Sequence, residues 1–121
     1  MGYDLHITRA DDWGDSNLVP ITADEWLRTV DEDSELSIDT RGNGPYFVLW
    51  PAHQAYGEPP WFDWSEGEIF TKNPDRKTLG KMLEIADRLG AKVQGDDGEV
   101  YSRVEDLDSE EEDQEAPQRP W

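Results

Sequence analysis

The chain has 121 residues, no cysteine, 29 acidic against 11 basic residues and a formal net charge of −18. That length fits one domain, and the missing thiols exclude disulfide scaffolds, thiolate nucleophiles and zinc–thiolate sites. So negative a surface is a poor match for nucleic acid or an anionic membrane, and it points to a basic protein as partner.

The charge is not confined to one end. Eight acids fall between Glu105 and Glu115, and the other 21 face ten bases in residues 1–104, so the body alone carries −11. No apolar run reaches transmembrane length, and the start lacks the basic-then-apolar pattern of a signal peptide. A cytoplasmic protein is expected.

Tyr3, Leu5 and Ile7 alternate with Asp4, His6 and Thr8, which predicts a half-buried strand with His6 on its polar face. There His6 is either a ligand or general base, or an ordinary surface or hydrogen-bonded histidine. Asp11, Asp12, Trp13 and Asp15 follow in a loop. Two readings stay open for it. Trp13 could anchor a partner while the acids meet its Arg or Lys side chains, or the loop could be solvated with Trp13 folded back.

Thr22-Ala23-Asp24-Glu25 is a capping box, and Ile21 with Trp26 fits a hydrophobic staple. A helix from Ala23 to Asp31 follows, with Trp26 in the core. Asp31 to Glu35 is acidic but lacks the glycine of a calcium loop, so a solvated helix end is expected. Leu36 to Thr40 alternates weakly as a strand. Tyr46 to Trp50 is the most apolar run of the chain and predicts a central strand buried on both faces.

Pro51 to Pro60 is a long loop holding His53 and Tyr56. Trp61 to Trp64 and Ile69 to Lys72 then read as a hairpin across a four-residue turn, Ser65 to Glu68. Trp61 and Asp63 share one face, Phe62 and Trp64 the other, and one aromatic pair should face the core.

Asn73 is a candidate N-cap with Pro74 at the first helical position. Leu79, Met82, Leu83, Ala86 and Leu89 form the apolar stripe, Glu84 can pair with Arg88, and Gly90 suits a left-handed stop. Gly80 weakens this helix unless a close neighbour requires it. Ala91 to Gln94 and Glu99 to Tyr101 read as short strands about a turn at Gly95 to Gly98. Asp96, Asp97 and Glu99 are ordinary turn chemistry or, less simply, a cation site. Lys72, Arg76, Lys77, Lys81, Arg88 and Lys92 put six of the body's ten bases on or around this helix.

Together these elements predict an α+β domain over residues 1–104. An antiparallel-rich sheet of five or six strands packs with two helices, in the order β-α-β-β-β-β-α-β. A disordered acidic tail, 105–121, has too little apolar surface to offset its ordering entropy.

No G-x-S-x-G, H-E-x-x-H, P-loop or G-x-G-x-x-G pattern is present. With two histidines and no cysteine, we expect no catalytic residues, no metal site and no cofactor. The candidate partner-binding residues are Asp11, Asp12, Trp13, Asp15, His53, Tyr56, Asp63, Trp64 and Glu66.

The chain resembles a family of small acidic uncharacterised bacterial proteins. The resemblance lies in the opening Met1-Gly2-Tyr3-Asp4-Leu5-His6-Ile7-Thr8-Arg9, the P-I-T-x-x-E-W-L segment at Pro20 to Leu27, the W-F-D-W strand at Trp61 to Trp64, and Asn73 to Tyr101 with its K-M-L-E-I-A and G-A-K-V-Q-G-D-D-G-E elements. Such proteins are similar to the immunity partners encoded beside bacterial secreted toxins. The resemblance therefore implies a binding protein that occludes a basic toxin domain. The alternatives are a small ligand-binding module or enzyme with a pocket near His6 and His53, and an acidic housekeeping protein.

Overall fold

A computed structural model describes residues 3–39, 41–55 and 57–106. Within them the chain is α+β. Its strands are β1 (Asp4–Thr8), β2 (Ser37–Ile38), β3 (Val48–Leu49), β4 (Trp61–Ser65), β5 (Glu68–Lys72), β6 (Lys92–Gly95) and β7 (Val100–Tyr101). The helices are α1 (Ala23–Asp31) and α2 (Arg76–Leu89), and a 3-10 segment spans Trp13–Leu18. The seven strands form one sheet in the order β2-β3-β4-β5-β1-β6-β7, antiparallel throughout. The sheet is one strand wider than the upper expectation, because Val100–Tyr101 pairs with β6.

Local chemistry sets both helices. Thr22 accepts from the Glu25 amide, Glu25 reaches back to the Thr22 amide, and Ile21 and Trp26 are fully buried. Helix α2 starts later than expected. Its N-cap is Asp75, whose carboxylate accepts from the Thr78 amide at 2.8 Å. Asn73 is instead held at φ 46. Its amide donates to the Tyr3 carbonyl and its side-chain oxygen accepts from the Tyr3 amide, which clamps it to the start of β1. Gly90 ends α2 in the left-handed region at φ 64, and Glu84 pairs with Arg88 at 3.0 Å. A side chain at Gly80 would meet Val104 at 3.4 Å, which supplies the close neighbour.

One sheet face carries the core. Leu5, Ile7, Phe62, Ile69 and Val93 meet Leu79, Met82 and Ile85 of α2 and Trp26 of α1. Tyr46 to Trp50 does not form the central strand. Only Val48–Leu49 pairs, next to the edge strand β2, while β1 takes the interior between β5 and β6. The Tyr46 carbonyl accepts from the Trp26 indole at 2.9 Å, so this run is tied to α1 rather than extended into the sheet.

The β4–β5 turn is also tighter than expected. Ser65 pairs with Glu68, leaving a two-residue turn with Glu66 at φ 51 and Gly67 at φ 92. A Cβ on Gly67 would lie 2.6 Å from the Ser16 carbonyl oxygen. Glycine is thus required there both for conformation and for the approach of the 3-10 segment.

At the other end of the chain, Val104 to Asp106 begin a helical turn, and Glu105 lies 3.8 Å from Arg76. The rest of the expected disordered tail, 107–121, lies outside the described residues.

Candidate functional site

The second sheet face carries the unusual chemistry. Strand alternation puts Asp4, His6 and Thr8 of β1 there, with Glu68 and Phe70 of β5, Asp63 of β4 and Gln94 of β6. The face has two halves, treated differently by the chain.

The 3-10 segment and its approach, 11–18, cover the β1–β6 half. Gln94 anchors them, accepting from the Trp13 amide at 2.7 Å and donating to the Asp11 carbonyl at 2.8 Å. The Thr8 and Ser16 hydroxyls bond at 2.7 Å. The Trp13 ring then lies flat on His6, with centroids 3.9 Å apart and planes within 3°. His6 Nδ1 is 2.6 Å from Glu68 and Nε2 is 2.9 Å from Asp96. With both nitrogens against carboxylates, the protonated ring satisfies both bonds and the neutral ring only one. Burial resists the charge, but the bonds to Glu68 and Asp96 outweigh it, so the His6 pKa is raised above 6.5.

His6 is therefore not on an open polar face. It is 4% exposed because a second layer, absent from the alternation of β1, lies on it. Trp13 is the folded-back residue, half-buried rather than offered as an anchor. His53 does not share the surroundings of His6. His53 Nε2 sits 2.8 Å from Asp75 at the start of α2. A cavity of about 350 Å³ nearby is lined by Pro59, Pro60, Trp61, Lys72, Asn73 and Thr78, with neither histidine on its wall.

The other half of this face is open. Asp63 stands directly opposite Phe70 on β5, and continuing the β3–β4 register by one residue puts Phe47 opposite it on the other side. Trp61 is two residues back on the same face. It stacks on Phe47 at 5.1 Å and meets Phe70 edge-on at 5.9 Å. Asp63 accepts from the Trp64 amide at 2.8 Å, and among the described residues no cation pairs with it. Burial pushes its carboxyl pKa up, against the opposing effect of that amide.

The remaining candidates are scattered. Asp11, Asp12 and Asp15 are exposed on the 3-10 segment and its approach. Glu66 is exposed in the turn that Gly67 packs on Ser16, at the same end of the sheet. Trp64 points to the core face, where its indole donates to the Ile21 carbonyl at 2.8 Å, so it is not a free contact residue. Tyr56 lies outside the described residues.

Lys81, in the sequence only one of six bases on or around α2, has a particular place in the fold. It is 3% exposed on α2 and bonds Asp33 and Glu35, each at 2.8 Å, with its ammonium 5.5 Å from the Trp50 ring centre. Asp33 also receives Arg88 at 2.7 Å. Burial raises the Asp33 pKa, but Lys81 and Arg88 win and hold it at about 2. Asp31, Glu32, Ser34 and Glu35 are exposed, as a solvated helix end requires, but Asp33 is buried in an ionic cluster with Lys81 and Arg88. Its one legible signal was a lysine one position from the apolar stripe. The basic surface expected on α2 is correspondingly reduced, since Lys81 and Arg88 are consumed internally. The Lys92 ammonium likewise donates to the Ala10 carbonyl.

Among the described residues no group of His, Asp or Glu is placed to hold a metal ion, and no helix is long and apolar enough to cross a membrane. No protein family, curated protein or solved structure matches the chain.

Proposed function

We propose that the protein is an acidic binding module of the immunity type, which covers a cationic surface of a toxin domain. The observation that carries this reading is the disposition of charge at the 3-10 segment. Its approach and body turn Asp11, Asp12 and Asp15 to solvent while Trp13, Ser16 and Gln94 fasten the backbone beneath them. A fixed array of carboxylates loses little entropy on meeting Arg or Lys side chains. The body's negative field steers the encounter.

Co-expression with the product of the adjoining gene tests the reading. The expected result is relief of that product's toxicity and a co-purified complex. Its affinity should fall about tenfold as salt rises from low to physiological, since rim charges are screened over a Debye length. Neutralising Asp11, Asp12 and Asp15 together to Asn should slow association about tenfold while dissociation changes little. An adjoining product that is harmless and forms no complex would overturn the reading.

A further inference from the structure

Among the described residues, three places put a tryptophan near a carboxylate. Two of them hold a nitrogen donor from the chain itself. At the first, His6 lies under Trp13 between Glu68 and Asp96. At the second, Lys81 lies by Trp50 with Asp33 and Glu35. The third is Asp63, with Trp61 along its own strand and Phe47 and Phe70 across from it. It has the carboxylate and three rings but no cation among the described residues.

We propose that this open half of the second sheet face docks an arginine side chain of a basic protein partner, the guanidinium lying on the rings with its N–H donors on Asp63. The occupant follows from charge and shape. A domain this acidic selects a cationic partner, and a carboxylate that burial has partly stripped of water gains most from a charge-assisted bond. One Asp63 oxygen is engaged by the Trp64 amide, and the carboxylate retains acceptor capacity. Flat rings on both sides favour a planar guanidinium over a compact, strongly hydrated ammonium. The proposal rests on the partner being basic, and it adds where that partner inserts its anchor.

Carbon-detected NMR of the Asp63 carboxyl in the full chain tests it. The probes are a blocked Gly-Arg repeat peptide and its Gly-Lys counterpart. With the arginine peptide the Asp63 midpoint should fall by about one pH unit, as an Asp gaining an Arg neighbour does. The Trp61 indole resonance should shift with it, and the lysine peptide should do less at equal concentration. Asp63→Asn, at a half-exposed position that leaves the core intact, should weaken peptide binding about tenfold. Trp61→Phe keeps an aromatic there and should weaken it less than Trp61→Leu.

An unmoved Asp63 overturns the proposal. So do shifts spread evenly over the acidic surface, equal effects of the two peptides, or undiminished binding by Asp63→Asn. These readouts involve no toxin. Failure here with protection in co-expression rejects this site alone, and peptide binding without protection rejects the immunity role alone.

Discussion

The two halves of the second sheet face begin with similar ingredients and end differently. On the β1–β6 half, Glu68 and Asp96 both bond His6, which Trp13 covers. On the β4–β5 half, Asp63 has rings beside it and no cation among the described residues. The first half is closed and self-sufficient. The second keeps a desolvated charge at a surface, a cost that a structural role leaves unreturned. Clustering of carboxylates and aromatics is therefore not what marks a contact surface here. The useful mark is a half-buried carboxylate beside aromatic rings with no cation paired to it among the described residues.

The largest effect should come from emptying an occupied position. Lys81→Ala leaves Asp33 buried with Arg88 alone, and breaking such a pair costs about 3–5 kcal/mol. Urea denaturation measures it. Replacing Lys81 and Asp33 together by Met and Leu should cost clearly less, because no buried charge is left stranded: Arg88 keeps Glu84, and Glu35 is open to water. Equal losses in the single and double variants would show that Lys81 acts by packing rather than by charge.

Removing the His6 ring should cost less, because Asp96 is partly open to water. His6→Phe is expected to lose about 2 kcal/mol by leaving two carboxylates without their donor. Its signature is a pH dependence. The His6 pKa is raised on folding, so its contribution is fully present below about pH 6.5. It is lost as pH rises through the folded value. Wild-type stability should fall across that window, and His6→Gln should flatten the fall. Asp33 has the opposite sign. Its pKa is lowered to about 2, so its contribution is present above about pH 4 and is lost as pH falls through that folded value. Denaturation curves at pH 3, 6 and 9 separate the two groups.

The smallest effect should come from placing a cation of the chain beside Asp63. Ser65 is exposed on β4, two residues from Asp63 on the same face. Ser65→Arg supplies a guanidinium from the chain itself. It should add about 0.5 kcal/mol, within the range of exposed pairs, while lowering the Asp63 midpoint in NMR titration. A variant that leaves Asp63 unmoved would weaken the parallel between the two halves.

Much of the architecture was legible because it rests on short-range rules. The capping box at Thr22–Glu25, the stop at Gly90 and the apolar stripe of α2 each follow from residues within one or two helical turns. The strand at Asp4–Thr8 was equally clear, but the exposure of its second face was not. Alternation states that Leu5 and His6 point oppositely, and it is silent on what covers each side. The site was less legible still. Asp63 was singled out and placed with Trp61, whereas Phe47 and Phe70 join them only through cross-strand register. Trp64 was grouped with the contact residues because composition cannot tell a tryptophan over the core from one over water.

The sequence by itself determined the two α-helices, three of their four ends, the antiparallel class of the sheet and the sign of the net charge. Hydrogen-bond capping, periodicity and net charge are properties of neighbouring residues or of sums, and none depends on distant contacts. Only the tertiary structure decided which charges are spent. His6 meets Glu68 and Asp96 across 62 and 90 residues of chain, and Lys81 meets Asp33 across 48. Whether a carboxylate is paired inside or left for a partner turns on which distant cation the folded sheet and helices bring within bonding distance.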